Sequence, residues 1–357
     1  LKKVLLLTTG GTIAARDSEC GLKPSLNSNE LLSYMEELKP YYRITAKDIM
    51  HLDSSNIQAE EWQTIAHSVM KELENYDGVV ITHGTDTMAY TASILSFMLA
   101  NVKKPIVLTG AQMPIDNLLT DARNNLYTAF AAVDSEIPGV SIAFNYKIIN
   151  GCRAVKVRTM GFEAFESVNA PYLGEVYANG IHKNIDYRPP IRLDEPTDLH
   201  DQICSDVFLL KLIPGTNPDI FDMLLNMRYR GVVLETFGAG GLHFARRDLL
   251  SRITMLIDHG ISVVACSQCV YEPSDFSMYE VGARLISCGV IPGLDMTTEA
   301  AVTKLMWALG QTKSSEGIRH IFNTCYVGEV SLPSMGLEEL GKTRAKIEMA
   351  SPTSSIN

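Results

Sequence analysis

Residues 78–110 read GVVITHGTDTMAYTASILSFMLANVKKPIVLTG. Val79, Val80 and Ile81 make a short β-branched run, the pattern of a strand buried on both faces. Met88 to Leu99 is apolar over a helical length and ends before Asn101. Pro105 then opens a second short run, Ile106 to Leu108. A strand, a helix and a strand in such close succession predict two parallel strands joined by a crossover.

The rhythm extends both ways. Val4 to Thr8 reads as a strand, and Trp62, Ile65, Val69 and Leu73 recur at helical spacing over about 59–74, ended by Asp77-Gly78. Leu126, Phe130 and Val133 mark a helix over about 121–133, followed by a strand at Val140 to Phe144. Asn150-Gly151 predicts a type I′ turn and a hairpin within 146–156. Periodicity fades from Pro171 to Asp201, where Pro189, Pro190 and Pro196 stand among acidic residues.

Strands then return at 207–212, 232–234 and 261–265. Helices are expected from Pro218, after the glycine-rich loop 238–241, and over 276–288 and 298–310. This is an α/β chain with mostly parallel sheets flanked by helices. Its expected division is an N-terminal domain at 1–187, a linker at 188–205 and a smaller C-terminal domain at 206–357.

The chain has 357 residues, which suggests two domains at about 150 residues each. Its formal charge of -10 argues against a broad nucleic-acid surface. Seven cysteines are an odd number in a chain that needs no staples, so reduced thiols and a cytoplasmic address are expected. Cys266 and Cys269 have CxxC spacing, but no second cysteine or histidine cluster completes a zinc set. No metal is expected. The apolar run after Lys2-Lys3 is too short for a secretory signal, and no stretch approaches the roughly 18 apolar residues of a membrane span.

Four clusters can carry chemistry, three of them where strands end. Thr9 to Ala14, TGGTIA, either makes a tight turn or displays Thr12 as a nucleophile. His83 to Ala89 either caps a helix or turns Thr85 and Asp86 towards a pocket. His83 itself reads more readily as a packing residue than as a base. Asp53-Ser54-Ser55-Asn56 can cap a helix or cradle a carboxylate. Lys156 is either a surface residue or the partner of Asp86.

Together these stretches resemble the bacterial-type L-asparaginase family, particularly its cytoplasmic type I branch. The matches are TGGTIA at 9–14, DSSN at 53–56, HGTDTMAYTAS at 83–93, LTGAQMP at 108–114, GFEAF at 161–165 and PGLDMTTEAAVTKL at 292–305. The resemblance implies a two-domain asparaginase/glutaminase-like fold, a homodimer or homotetramer, no cofactor, and hydrolysis of L-asparagine, with L-glutamine often slower. It assigns Thr12 as primary nucleophile, with Thr85, Asp86 and Lys156 completing the catalytic group. It places Ser54, within the Asp53-Ser54-Ser55 cradle, on the substrate α-carboxylate. Asp86 goes to the α-ammonium and Ala111 beside the carboxamide. The Thr85 N–H is the expected oxyanion donor.

Two departures stand out. In the loop after the first motif, Gly21-Leu22 puts leucine where many members carry a lid tyrosine. Glu235 stands where some type I enzymes have an effector-binding arginine, although Cys269 matches a cysteine of that site. Weak or absent asparagine allostery is therefore expected. Three alternatives are a broad glutaminase-asparaginase, a non-catalytic amino-acid sensor, and a tRNA-dependent amidotransferase subunit. The last carries an extra N-terminal domain, which is not expected here with the first motif at residue 9.

Overall fold

The larger sheet has eight strands in the order β12-β11-β8-β7-β6-β5-β1-β4. In chain order these are β1 (Lys2–Gly10), β4 (Tyr42–Leu52), β5 (Gly78–Thr82), β6 (Pro105–Thr109), β7 (Gly139–Phe144), β8 (Lys147–Asn150), β11 (Gly174–Tyr177) and β12 (Gly180–Lys183). Two ribbons stand apart, β2 (Ala15–Ser18) with β3 (Gly21–Pro24) and β9 (Ala154–Lys156) with β10 (Phe165–Ser167). A second sheet runs β13 (Val207–Lys211), β14 (Gly231–Thr236), β15 (Ser262–Ser267) and β16 (Ile291–Pro292), all parallel. This computed structural model describes residues 1–18, 21–187, 190–191 and 194–331.

The helices are α1 (Ser28–Ser33), α2 (Ala59–Glu72), α3 (Met88–Met98), α4 (Ala122–Asp134), α5 (Asp219–Asn226), α6 (Leu249–Asp258), α7 (Glu280–Cys288), α8 (Thr298–Gln311) and α9 (Ser315–Phe322). The strand period of two sorts side chains cleanly. Leu5, Leu7, Val79, Ile81, Ile106 and Leu108 face α2 and α3. Val4, Leu6, Val80 and Val107 face α4 and α1. On the second sheet Val233 and Val264 join the first of these clusters, while Val232, Leu234, Val263 and Ala265 face α5, α6 and α7. One core therefore lies between the two sheets, with α8 packed on α3 and the Phe97 and Trp307 rings stacked 5.7 Å apart. No helix among the described residues is long and apolar enough to cross a membrane.

Several local expectations need correction. The type I′ turn is not at Asn150-Gly151. The β7–β8 hairpin turns at Asn145-Tyr146, both with positive φ. Gly151 serves close packing instead, because a Cβ there would fall 3.0 Å from the Ala92 carbonyl and the Ser96 hydroxyl. The loop after the first motif contains the two strands β2 and β3. The 171–187 stretch contains the β11–β12 hairpin, which adds two edge strands to the main sheet. The helix expected from residue 276 begins at Glu280. The edge strand β4, eleven residues long, went unread because its apolar positions do not alternate cleanly. The 188–205 stretch holds no helix or strand among its described residues.

Candidate active site

The first three motif loops meet at the carboxyl ends of β1, β4 and β5 because glycines allow backbone contact. A Cβ on Gly11 would fall 2.4 Å from the Gly84 amide nitrogen, and one on Gly84 would fall 2.6 Å from Ser54 Oγ. Gly11 also has φ 79°, a left-handed conformation. Its N–H donates to the Leu52 carbonyl at 2.9 Å. The loops carrying Thr12, Ser54 and Thr85 are thus pressed against one another.

Thr12 opens a short 3₁₀ turn, Thr12–Ala14, directly after β1. Its side chain is half-buried, and its hydroxyl has no hydrogen-bond partner among the described residues. Thr85 is buried at the N-terminal approach to α3. Lys156 Nζ donates to Thr85 Oγ1 at 2.8 Å and lies 2.6 Å from Asp86 Oδ1. Thr85 in turn donates to Gln112 Oε1 at 3.1 Å. The lysine side chain is 17% exposed and that of Asp86 65%, so the pair opens to solvent on the carboxylate side.

Gln112 was not singled out by sequence reasoning, although it follows Ala111 in a motif that was. Its amide N–H and that of Met113 donate to Asp121, whose carboxyl burial pushes up against the pull of those amides. Gln112 Nε2 donates to the carbonyls of Thr159 and Gly161. Ala111 is buried just beyond the end of β6.

Ser54 is buried, and its carbonyl accepts from Thr87 Oγ1 at 2.8 Å. Asp53 and Ser55 are exposed and bond each other, with Ser55 N–H and Oγ donating to Asp53 Oδ1. Those two bonds hold the Asp53 carboxyl below its ordinary range.

His83 is a packing residue. Trp62 Nε1 donates to Thr91 Oγ1, which donates to His83 Nε2, leaving Nδ1–H for the Gly84 carbonyl. Burial pushes its imidazole down to about 4, so it is neutral. An unfolded imidazole binds its proton below pH about 6.5. The folded one refuses it until about pH 4, so stability falls with pH through that window, by up to ~3 kcal/mol. The unfolding free energy of wild type minus that of His83→Gln should therefore be smaller at pH 4.5 than at pH 7.5 in urea titrations. A difference independent of pH would refute this role.

The remaining predicted residues lie elsewhere. Gly21 and Leu22 sit exposed on β3, with Leu22 opposite Asp17. Glu235, on β14, accepts from Thr298 Oγ1 at 2.7 Å and lies 3.4 Å from Lys211 Nζ. Burial and Glu235 push the Glu299 carboxyl up, and burial with both carboxylates pushes Tyr90 up to about 12. This corner is acidic. Cys269 is exposed, whereas Cys266 is buried and its thiol pushed up to about 12. No group of three or more His, Cys, Asp or Glu among the described residues is placed to hold a metal ion.

A two-domain α/β chain that brings threonines and an aspartate from the ends of its parallel strands to a lysine on an antiparallel ribbon, at these distances, has the makings of an amide-hydrolysing site. The chain belongs to the asparaginase family, an amidohydrolase family acting on carboxamides. The family's N-terminal model matches residues 3–189 and its glutaminase/asparaginase C-terminal model residues 206–322. The L-asparaginase of Thermococcus kodakarensis is 40% identical over 92% of this chain and 99% of its own. The structure of the thermostable L-asparaginase from that organism superposes with a TM-score of 0.87 at 39% identity, covering 92% of this chain and 99% of its own. L-asparaginase I of Vibrio cholerae superposes at 0.81 with 30% identity, covering 93% and 99%. A glutamyl-tRNA(Gln) amidotransferase component from Pyrococcus abyssi is 36% identical over 93% of this chain and 77% of its own.

Proposed function

We propose that this chain is an L-asparaginase of the cytoplasmic type I kind, hydrolysing L-asparagine to L-aspartate and ammonia. The observation that carries the reading is Lys156 Nζ, held between Thr85 Oγ1 and Asp86 Oδ1 on the loop that Gly11 presses beside Thr12. In this reading Thr12 Oγ attacks the side-chain carbonyl, and its proton leaves with ammonia. Water positioned by Thr85 and Lys156 then releases aspartate from the acyl-enzyme. The Thr85 N–H, which donates to no described residue, supports the oxyanion.

Ser54, with Asp53 and Ser55, receives the substrate α-carboxylate, Asp86 receives the α-ammonium, and Ala111 lines the carboxamide. The β2–β3 ribbon with Gly21 and Leu22 closes over the site, and leucine there excludes water without donating a hydrogen bond. The reaction needs no cofactor. Glu235 would repel an effector carboxylate, so the rate follows asparagine concentration hyperbolically. The exposed Leu118, Leu119, Met160 and Phe162 favour burial against a second copy, hence a homodimer or a dimer of dimers. Nucleic acid and membrane are not expected partners.

Ammonia release from L-asparagine and L-glutamine in parallel tests the reading. Asparagine is expected to win by ~10- to 200-fold in kcat/KM, the scale of one methylene. Equal turnover would make the chain a broad glutaminase-asparaginase. Release only with an amidotransferase partner and charged tRNA would favour the second reading, which the likeness to the Pyrococcus abyssi amidotransferase component supports.

A further inference from the structure

Lys156 stands on neither main sheet. It ends β9, one strand of a two-stranded ribbon in which Lys156 lies opposite Phe165, Val155 opposite Glu166 and Ala154 opposite Ser167. A two-stranded ribbon is marginal by itself, so its position is set by what it is tied to.

One face is tied to its own domain. Phe165 is buried with its ring 5.0 Å from Phe144, and Gln112 Nε2 holds the ribbon tip through the Thr159 and Gly161 carbonyls. The other ties run to the C-terminal half. Arg153, 1% exposed and just before β9, donates from Nη1 to the Asp295 carbonyl and to Oδ2, each at 3.1 Å. Its Nε donates to the Gly328 carbonyl at 2.7 Å and Nη2 to Ser331 Oγ at 3.3 Å. Asn169, just after β10, donates from Nδ2 to the Asp295 carbonyl at 3.0 Å and accepts the Glu272 N–H at 2.8 Å. Tyr271 Oη donates to Glu166, which also pairs with Arg158 at 3.0 Å. Both strands are therefore gripped by the loop after β15 and the loop before α8.

We propose that the C-terminal half acts in the reaction through this ribbon, with Arg153, Asn169, Asp295 and the Tyr271–Glu166 contact as positioning residues for Lys156. The inference rests on the catalytic reading of Lys156 above. A buried guanidinium with four acceptors costs much to leave unpaired, so the ribbon and the second half move as one body. Displacements near 1 Å are enough to lower a rate ~100-fold.

Tyr271→Phe deletes one contact at the ribbon and Asn169→Ala two, and both leave the Arg153 guanidinium bonded, so the fold is expected to survive. Each should lower kcat ~10-fold with KM within about twofold. Each should also speed amide exchange across 154–167 while the exchange of β5 and β6 stays as in wild type. Introduced into Lys156→Met, either change should lower the residual rate no further, because its effect passes through the lysine. Unchanged exchange across the ribbon would overturn the clamp whatever the turnover. Faster exchange with unchanged kcat, or effects that multiply with Lys156→Met, would overturn the positioning role. Wild-type turnover in Lys156→Met, with the exchange change present, would instead show that the catalytic reading had failed and take the positioning role with it.

Discussion

Thr12→Ala should lower amide hydrolysis by ~10⁴-fold in kcat while KM changes no more than a few-fold. The half-buried Thr12 hydroxyl has no partner within the described chain, whereas the Thr85 hydroxyl is engaged on both sides by Lys156 and Gln112. On the proposed mechanism, removing Thr12 Oγ takes away the attacking atom and leaves Ser54 and Asp86 for the amino-acid end of the substrate. Thr12→Ser keeps the oxygen and should retain measurable turnover. Steady-state ammonia release, with aspartate binding followed calorimetrically as a check on the site, separates the outcomes. A Thr12→Ala protein within tenfold of wild type, alongside an inactive Thr85→Ala, would move the nucleophile to Thr85.

Lys304→Met should cost ~3–5 kcal/mol of stability, a large share of what a protein this size has to lose. Lys304 and Glu329 are both 0% exposed, with Nζ 2.5 Å from Oε1. Nζ also donates to the Thr324 carbonyl at 2.8 Å and lies within 6.0 Å of the Phe97, Phe322 and Tyr326 ring centres. Glu329 accepts the Tyr326 and Val327 N–H groups, so its carboxylate pins the segment after α9. Methionine fills the lysine volume but leaves that carboxylate buried beside aromatic rings without its counter-charge. The double change Lys304→Met/Glu329→Gln should recover much of the loss. Urea unfolding of the three variants decides the matter; a single change costing under ~1 kcal/mol would mean that Glu329 finds another partner.

The parallel core was legible because strands buried on both faces announce themselves as uninterrupted β-branched runs, as at Val79 to Ile81. The elements missed were those whose burial is one-sided or borrowed. β4 lies at a sheet edge, and β11 and β12 extend the opposite edge by pairing rather than by hydrophobic pattern. The hairpin after β7 was displaced because Asn-Gly is a strong turn signal, yet Gly151 serves packing and Asn145-Tyr146 make the turn. At the candidate site, residue types and strand ends pointed to Thr12, Thr85 and Asp86. The partnership of Lys156 with them was not readable from spacing, because 70 residues separate it from Asp86. Gln112 and Arg153 were invisible for the same reason: each matters through contacts made in three dimensions.

The core between the sheets has a consequence for how the molecule can be taken apart. Two family models divide the chain at the connection near residue 200, as though it were assembled from separable modules. Yet α3 and α8 meet across that boundary, and Trp307 stacks on Phe97. Each half has a core cluster of its own, and a third cluster is built from both. A graft of one C-terminal half onto another N-terminal half inherits a mismatched seam unless the facing surfaces of α2, α3 and α8 travel together.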